Sequence, residues 1–397
     1  METKTWIDRI GKMKKDVFVI ANQVVSALGV SLEENMHCIE SKQTGIKLSE
    51  DQSLSNETLY CGLIDKSRME SIFSSIFTEI EYTYFEKLMI YSTIQALKDT
   101  IIDAASDDTL FVISTTKGNI DLLDKNLASH YPADRIHLWS AAETISNYFG
   151  NSNSPLVVSN ACVSGVVAIN LAATYISNGK FKNIIVLGGD ILSKFVVSGF
   201  QSFQSLSAGV CKPFDANRDG LSLGEAAGCM ILSSQAYGST IKVLGGSTHN
   251  DANHISGPSR TAEGFYYAAM AAIKASNINT TDIDYISAHG TATPYNDEME
   301  AIGISRLGLQ KTPIHSLKAY WGHTLGAAGI IESIALIESM KKGVLLPTLG
   351  YAEHGVSEPV NVSRDLEKYS TQYALKLASG FSGVNSSVVF QNMEEGK

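Results

Sequence analysis

Ten short runs of apolar, largely β-branched residues recur along the chain: Val17–Ala21, Leu110–Ser114, Leu156–Ser159, Asn183–Leu187, Gly228–Leu232, Ile241–Leu244, Ile283–Ala288, Ile314–Leu317, Leu375–Ala378 and Ser387–Phe390. Amphipathic stretches of helical length lie between them, among them Tyr84–Thr100, Val163–Asn178, Glu263–Ala275 and Ala327–Lys341. Strands separated by helices predict an α/β protein whose sheets are covered on both faces. At 397 residues the chain has room for two to three domains, or for one large duplicated one. No Pro-rich or Ser/Gly-rich linker divides it, so the parts are expected to pack together. The stretch Ser154–Gly179 carries no charge, but Pro155, Asn160 and four serines interrupt it. It reads as a buried strand–turn–helix unit, not a membrane span.

The net charge is −10 and the basic residues form no tail or cluster, which speaks against nucleic acid or an anionic membrane as partner. Five scattered cysteines without a CxxC pair predict neither a disulfide framework nor a structural zinc site. Together with an N-terminus lacking a signal-like apolar core, they point to the cytoplasm.

Three residues could carry chemistry. Cys162 sits where an apolar strand turns into a helix of small residues, Ala161, Ser164 and Gly165. A helix N-terminus favours the thiolate, so a lowered pKa is expected there. The other four cysteines read as buried structural residues. His289 ends the strand Ile283–Ala288 and opens Gly290-Thr291-Ala292-Thr293-Pro294, with Thr-Pro marking a turn. His323 follows Lys318 and precedes Gly326-Ala327-Ala328-Gly329; His249, His254 and His354 lie in polar, loop-like stretches. A faint repeat links the chain's halves: Cys162 and His323 each precede a glycine by three positions and then a long apolar helix. One thiol with two imidazoles suits acyl transfer to sulfur followed by chemistry on an adjacent carbonyl, because two neutral histidines can both donate to one enolate oxygen. Two further loops are expected to be structural: Lys212–Gly220, read as a salt-bridged turn, and Gly380–Asn385, which lacks the following helix of a phosphate loop.

From about Val17 to Phe390 the sequence resembles the elongating β-ketoacyl-acyl-carrier-protein synthases of the thiolase-like superfamily. The resemblance rests on ordered motifs: Ala161-Cys162 with Gly165, Pro213-Phe214-Asp215 with Arg218-Asp219-Gly220, His289-Gly290-Thr291 with Thr293-Pro294, Lys318 with Gly322-His323 and Gly326–Gly329, and Gly380-Phe381 with Asn385. It implies a five-layered αβαβα fold from two duplicated halves, 15–238 with the cysteine and 239–397 with the histidines. By the same resemblance Cys162 takes the acyl group, and His289 and His323 promote decarboxylation of a malonyl thioester. The backbone N–H groups of Cys162 and Phe381 form the oxyanion hole, and Lys318 and Glu332 support the histidines. Thr291 and Thr293 hold the phosphopantetheine arm, and Phe381 gates the acyl pocket. It further implies acyl carrier protein as partner, a homodimer or a heterodimer with a ketosynthase-like subunit, and no metal or organic cofactor.

The departures point away from bulk fatty-acid synthesis. Lys117 falls where the family lines its acyl tunnel with small or apolar residues, and it faces either that tunnel or solvent. The insertion common before Lys212 is absent, and Ser379 and Ser382 flank Phe381. The helix expected at Glu79–Lys87 is acidic where basic residues often dock the carrier, which shifts docking toward Lys194, Lys212 or Arg218. The short loop and Ser114–Asn119 look most like synthases of aryl-polyene clusters. The alternative is a non-catalytic, chain-length-factor-like partner subunit, against which the intact Cys162, His289, His323 and Lys318 argue.

Overall fold

The computed structural model describes residues 15–77, 82–251 and 257–394. Eleven strands form the main sheet, named here in chain order: β1 Phe18–Ser26, β2 Thr109–Ser114, β3 Leu156–Val158, β4 Asn183–Asp190, β5 Ala226–Ser233, β6 Ile241–Asn250, β7 Tyr285–Ser287, β8 Pro313–His315, β9 Asn361–Val362, β10 Tyr373–Gly380 and β11 Val384–Asn392. Their spatial order is β9-β8-β7-β10-β11-β6-β1-β5-β4-β2-β3. The two parts meet at a single pair, Phe18 and Lys242. In each part a parallel set of strands is followed by one antiparallel return: β2, β3 and β4 with β5 in the first, and β7, β8, β9 and β10 with β11 in the second. This is one topology used twice, as the faint repeat suggested.

Seven helices matter for the layers: α1 Tyr84–Leu97, α2 Leu138–Tyr148, α3 Ser164–Ser177, α4 Lys194–Ser202, α5 Glu263–Ala275, α6 Pro294–Arg306 and α7 Ala328–Lys342. α1 and α2 cover one outer face through Phe85, Met89, Ala142 and Ile145 against Phe111, Ile185 and Ile231. α5 and α6 cover the other through Phe265, Ala269 and Ile304 against Ile286, Leu375 and Val389. α3 and α7 fill the middle, where Ile169, Ile176, Ile330 and Ile334 pack between the two sheet parts. The result is the five-layered αβαβα thiolase-like fold. Each fully buried Ile or Phe contributes about 1.5–3 kcal/mol, so the doubly covered strands read as continuous apolar runs.

The middle layer is held close by two glycines. A Cβ at Gly165 would come within 2.7 Å of the Ile330 backbone nitrogen, and one at Gly329 within 2.6 Å of that of Val166. Gly326, the repeat's counterpart of Gly165, instead presses on Thr115 and Asp190. The uncharged stretch resolves into β3 and the 14-residue α3, and among the described residues no helix is long and apolar enough to cross a membrane.

Several expectations are corrected. Thr293-Pro294 starts a helix: Thr293 caps α6 and Pro294 takes its first turn, where a missing N–H costs nothing. His249 lies in β6, not in a loop, while His254 falls outside the described residues. So does part of the acidic stretch, 79–81. The remainder begins α1, where Glu86 closes a capping box with Thr83, is fully buried and pairs with Arg135 at 2.8 Å. It contributes no surface charge.

Candidate active site

Cys162 stands at the turn between β3 and α3, and the turn is tight: Ala161 is left-handed, with φ of 44°. Ser164 fastens it, accepting from the Asn160 N–H at 2.7 Å and donating to the Ala161 carbonyl at 2.6 Å. Across from it, Gly380 approaches so closely that a Cβ would sit 3.2 Å from the Cys162 backbone nitrogen. A side chain here would be tight against the elbow, and this closeness brings the turn beginning at Phe381 to the nucleophile.

His289 enters from the end of β7. Its N–H donates to Glu300 at 2.7 Å, and the Gly290 N–H donates to the same carboxylate at 2.5 Å. Asp297 accepts from the Phe214 N–H at 2.7 Å and the Ala292 N–H at 3.1 Å, tying the Lys212–Gly220 loop to the histidine's loop. Both carboxylates lie on α6, one turn apart. The helix read as a turn therefore contributes the two acids that shape this loop, and its Thr-Pro start was the available signal.

Cys162, His289 and His323 converge as expected, with the sulfur and one nitrogen of each ring within 4.8 Å of one another. The two imidazoles meet edge to face at 5.3 Å between centroids. Nδ1 of each is buried without a hydrogen-bond partner, so we assign the proton of each neutral ring to Nε2, the donor left for the cavity. Burial, reinforced by the Lys318 ammonium, holds both rings well below the ordinary imidazole pKa. Beneath them Lys318 Nζ donates to the His289 carbonyl at 2.9 Å and forms a buried ion pair with Glu332. Among the described residues this thiol and its two imidazoles are also the one group able to ligate a metal ion, of the thiophilic kind.

The expected acidity of Cys162 is reversed. Burial pushes its thiol up to about 11, although the Lys318 and Lys117 charges act in the opposite direction. A helix terminus is worth only about 0.3–1 kcal/mol, less than removal of the thiolate from water. The resting nucleophile is the thiol, which sheds its proton as it attacks. Alkylation of Cys162 by iodoacetamide, followed by peptide mass, is thus expected to keep rising through pH 9, about tenfold per pH unit. A plateau near pH 8 would contradict this.

A cavity of about 500 Å³ opens onto Cys162, His289 and His323. Thr291 and Thr293 line it with their hydroxyls 2.9 Å apart. Phe381 lines it too, stacked on Phe200 at 5.9 Å and edge-on to Phe203 at 5.3 Å. Those two rings, on α4 and just after it, were not anticipated, because nothing near them in sequence marks a partner 180 residues away. Asn385 closes the Phe381 turn by accepting from Ser379 at 2.7 Å and donating to the Gly383 carbonyl at 3.1 Å. Lys117 stands apart from the lining, half-buried, its ammonium 3.4 Å from the Thr116 carbonyl. The Lys212–Gly220 loop is structural, as expected, but by a different route. Asp215 accepts backbone N–H groups of Ala352 and Glu353, and Arg218 donates to carbonyls of Asp215 and Gly355. Arg218 is thereby withdrawn from any docking patch, whereas Lys194 and Lys212 are exposed.

A doubled α/β topology with a cysteine elbow in one half and paired histidines in the other defines a thiolase-like condensing enzyme. The family models agree: the β-ketoacyl synthase N-terminal domain matches residues 14–237 and the C-terminal domain residues 241–352. The chain belongs to the β-ketoacyl synthase family. It is 28% identical over 416 residues to 3-oxoacyl-(acyl-carrier-protein) synthase 2 of Vibrio harveyi, covering 96% of this chain and all of that one. It is 29% identical over 349 residues to a putative mitochondrial 3-oxoacyl-(acyl-carrier-protein) synthase of Schizosaccharomyces pombe, covering 78% and 82%. Among solved structures, a ketosynthase in complex with its chain length factor from Xenorhabdus doucetiae superposes with a TM-score of 0.84 at 22% identity, covering 95% and 98%.

Proposed function

We propose that this chain is a decarboxylating β-ketoacyl-acyl-carrier-protein synthase in which residues 15–238 supply the nucleophile and 239–397 the two histidines. The observation that carries this reading is the meeting of Cys162 with two neutral imidazoles at the end of a cavity. In the first half-reaction the Cys162 sulfur attacks the acyl thioester and its proton passes to the departing sulfur. The carbon–sulfur bond to phosphopantetheine breaks, and that thiolate leaves with the proton. In the second, the bond between the malonyl methylene carbon and its carboxylate breaks and CO2 departs. The electron pair moves onto the thioester oxygen, stabilised by the N–H groups of His289 and His323. The enolate carbon then attacks the acyl carbonyl on Cys162. The oxyanion is met by the backbone N–H groups of Cys162 and Phe381, and the Cys162 thiolate leaves a β-ketoacyl chain two carbons longer. Lys318 and Glu332 hold the histidine loop from below. Thr291 and Thr293 bind the phosphopantetheine arm, and Phe381 gates the chain's path. None of these steps calls for a metal or an organic cofactor.

Lys117 stands outside the cavity lining, although its charge is felt at Cys162. The short loop before Lys212 and the Ser114–Asn119 stretch favour a chain of the aryl-polyene type over a long saturated one. The substrate donor is acyl carrier protein, met by an exposed patch that includes Lys194 and Lys212. The second subunit is another copy or a ketosynthase-like partner, as the complex with a chain length factor from Xenorhabdus doucetiae suggests. Incubation with a panel of acyl-carrier-protein thioesters is expected to give an acyl adduct in the intact mass that disappears in Cys162→Ser. If no chain loads, with or without a partner subunit, the catalytic reading fails.

A further inference from the structure

Lys376 lies midway along β10. The alternation of that strand puts Leu375 and Leu377 into the outer core and Ala374 and Ala378 into the middle layer. Lys376 therefore shares the inner face with two alanines, and its side chain is completely buried. Its ammonium is 2.7 Å from Glu332 Oε2 and donates to the Ala288 carbonyl at 3.0 Å and the Ser287 carbonyl at 3.5 Å. Glu332 Oε1 is the partner of Lys318, which holds the next carbonyl, that of His289. Two ammonium groups thus grip three successive carbonyls, share one carboxylate, and oppose Glu300, which grips the following N–H groups from the other side.

A buried lysine is costly, and an apolar residue of similar volume is often the more stable choice at such a place. Fold stability does not account for it. We propose that Lys376 is a positioning residue for the decarboxylation step, holding the main chain of His289 through Ser287 and Ala288 and fixing Glu332 so that Lys318 stays on the His289 carbonyl. This rests on the assignment of His289 and His323 given above. The charges support it in a second way. Around the two rings stand Cys162, Lys318, Lys376, Glu332, Glu300, Asp297 and the buried neutral His315, and both lysines disfavour the imidazolium forms. Removing one cation leaves the rings easier to protonate.

The test compares the parent enzyme with Lys376→Met, and with Lys376→Gln, which retains amide donors for the two carbonyls, should the methionine variant not fold. The expected result is Cys162 acylation within about threefold of the parent. CO2 release from malonyl-acyl carrier protein is expected to fall at least about tenfold in kcat with little change in KM. The acid limb of that rate should move up by about one pH unit. A folded variant that releases CO2 at the parental rate, or loses both half-reactions equally with an unmoved acid limb, overturns the role of Lys376 alone. A parent enzyme that acylates but releases no CO2 overturns the histidine assignment, and this role with it.

Discussion

His323→Ala is expected to leave acylation of Cys162 within about threefold while lowering condensation by about a hundred- to a thousandfold, the usual loss when one donor to a developing oxyanion is removed. The asymmetry follows from the geometry. Loading draws on the thiol and the backbone N–H groups around it, not on a pair of imidazole donors, and His289 remains beside the sulfur. Enolate formation needs two donors at one oxygen, and with Nδ1 buried and unpartnered each ring has only Nε2 to offer. Because burial and Lys318 keep both rings neutral well below the ordinary histidine range, the parent's CO2 release should stay flat from pH 8 down to 6, where a solvated pair would already be charging. Intact mass after loading, with single-turnover CO2 release, separates the two steps. Equal loss of both would show that His323 serves the nucleophile instead.

The second large effect is on stability. Gly329→Val would drive its Cβ to 2.6 Å from the Val166 nitrogen and 3.0 Å from the Gly165 carbonyl carbon. These obstacles are backbone and cannot rotate away, so α3 and α7 must separate. Overpacking alone costs about 1–3 kcal/mol, and parting the two middle-layer helices adds lost contacts around Ile330 and Ile331. The thermal midpoint should fall clearly, and acylation with it, since α3 begins beside Cys162. Gly199→Ala is the control: it lies in α4 with nothing within 4 Å of its Cβ, and alanine there gains up to about 1 kcal/mol of helix propensity. Midpoints moving alike in the two variants would contradict the close helix contact.

All ten expected strands exist because doubly covered strands must be apolar throughout, and Glu263–Ala275 was bounded to the residue. The helices Leu32–Glu40, Lys66–Ile76, α2, α4 and α6 escaped notice. They are short, and three of these starts (Ser31, Asp65 and Ser193) are marked only by a capping side chain. The three reactive residues were legible because each stands beside small residues, Cys162 and His289 at strand ends and His323 ahead of a glycine-rich helix start. Lys376 was not, since a lysine in a strand reads as solvent-facing until the middle layer of helices is laid over it. The Cys162 thiol was misjudged for the same reason: its helix is visible in the sequence, its burial only in the fold.

Asp190 draws Thr115, Thr116 and Lys117 together with Gly326 through a single buried carboxylate, accepting from the Thr115 hydroxyl at 2.8 Å, the Thr116 and Lys117 N–H groups at 2.9 and 3.1 Å, and the Gly326 N–H at 2.7 Å. Gly326 lies three residues beyond His323. The loop carrying Lys117 and the loop carrying the histidine are therefore levers on one fulcrum. A change in the position of either loop is passed to the other through this one carboxylate.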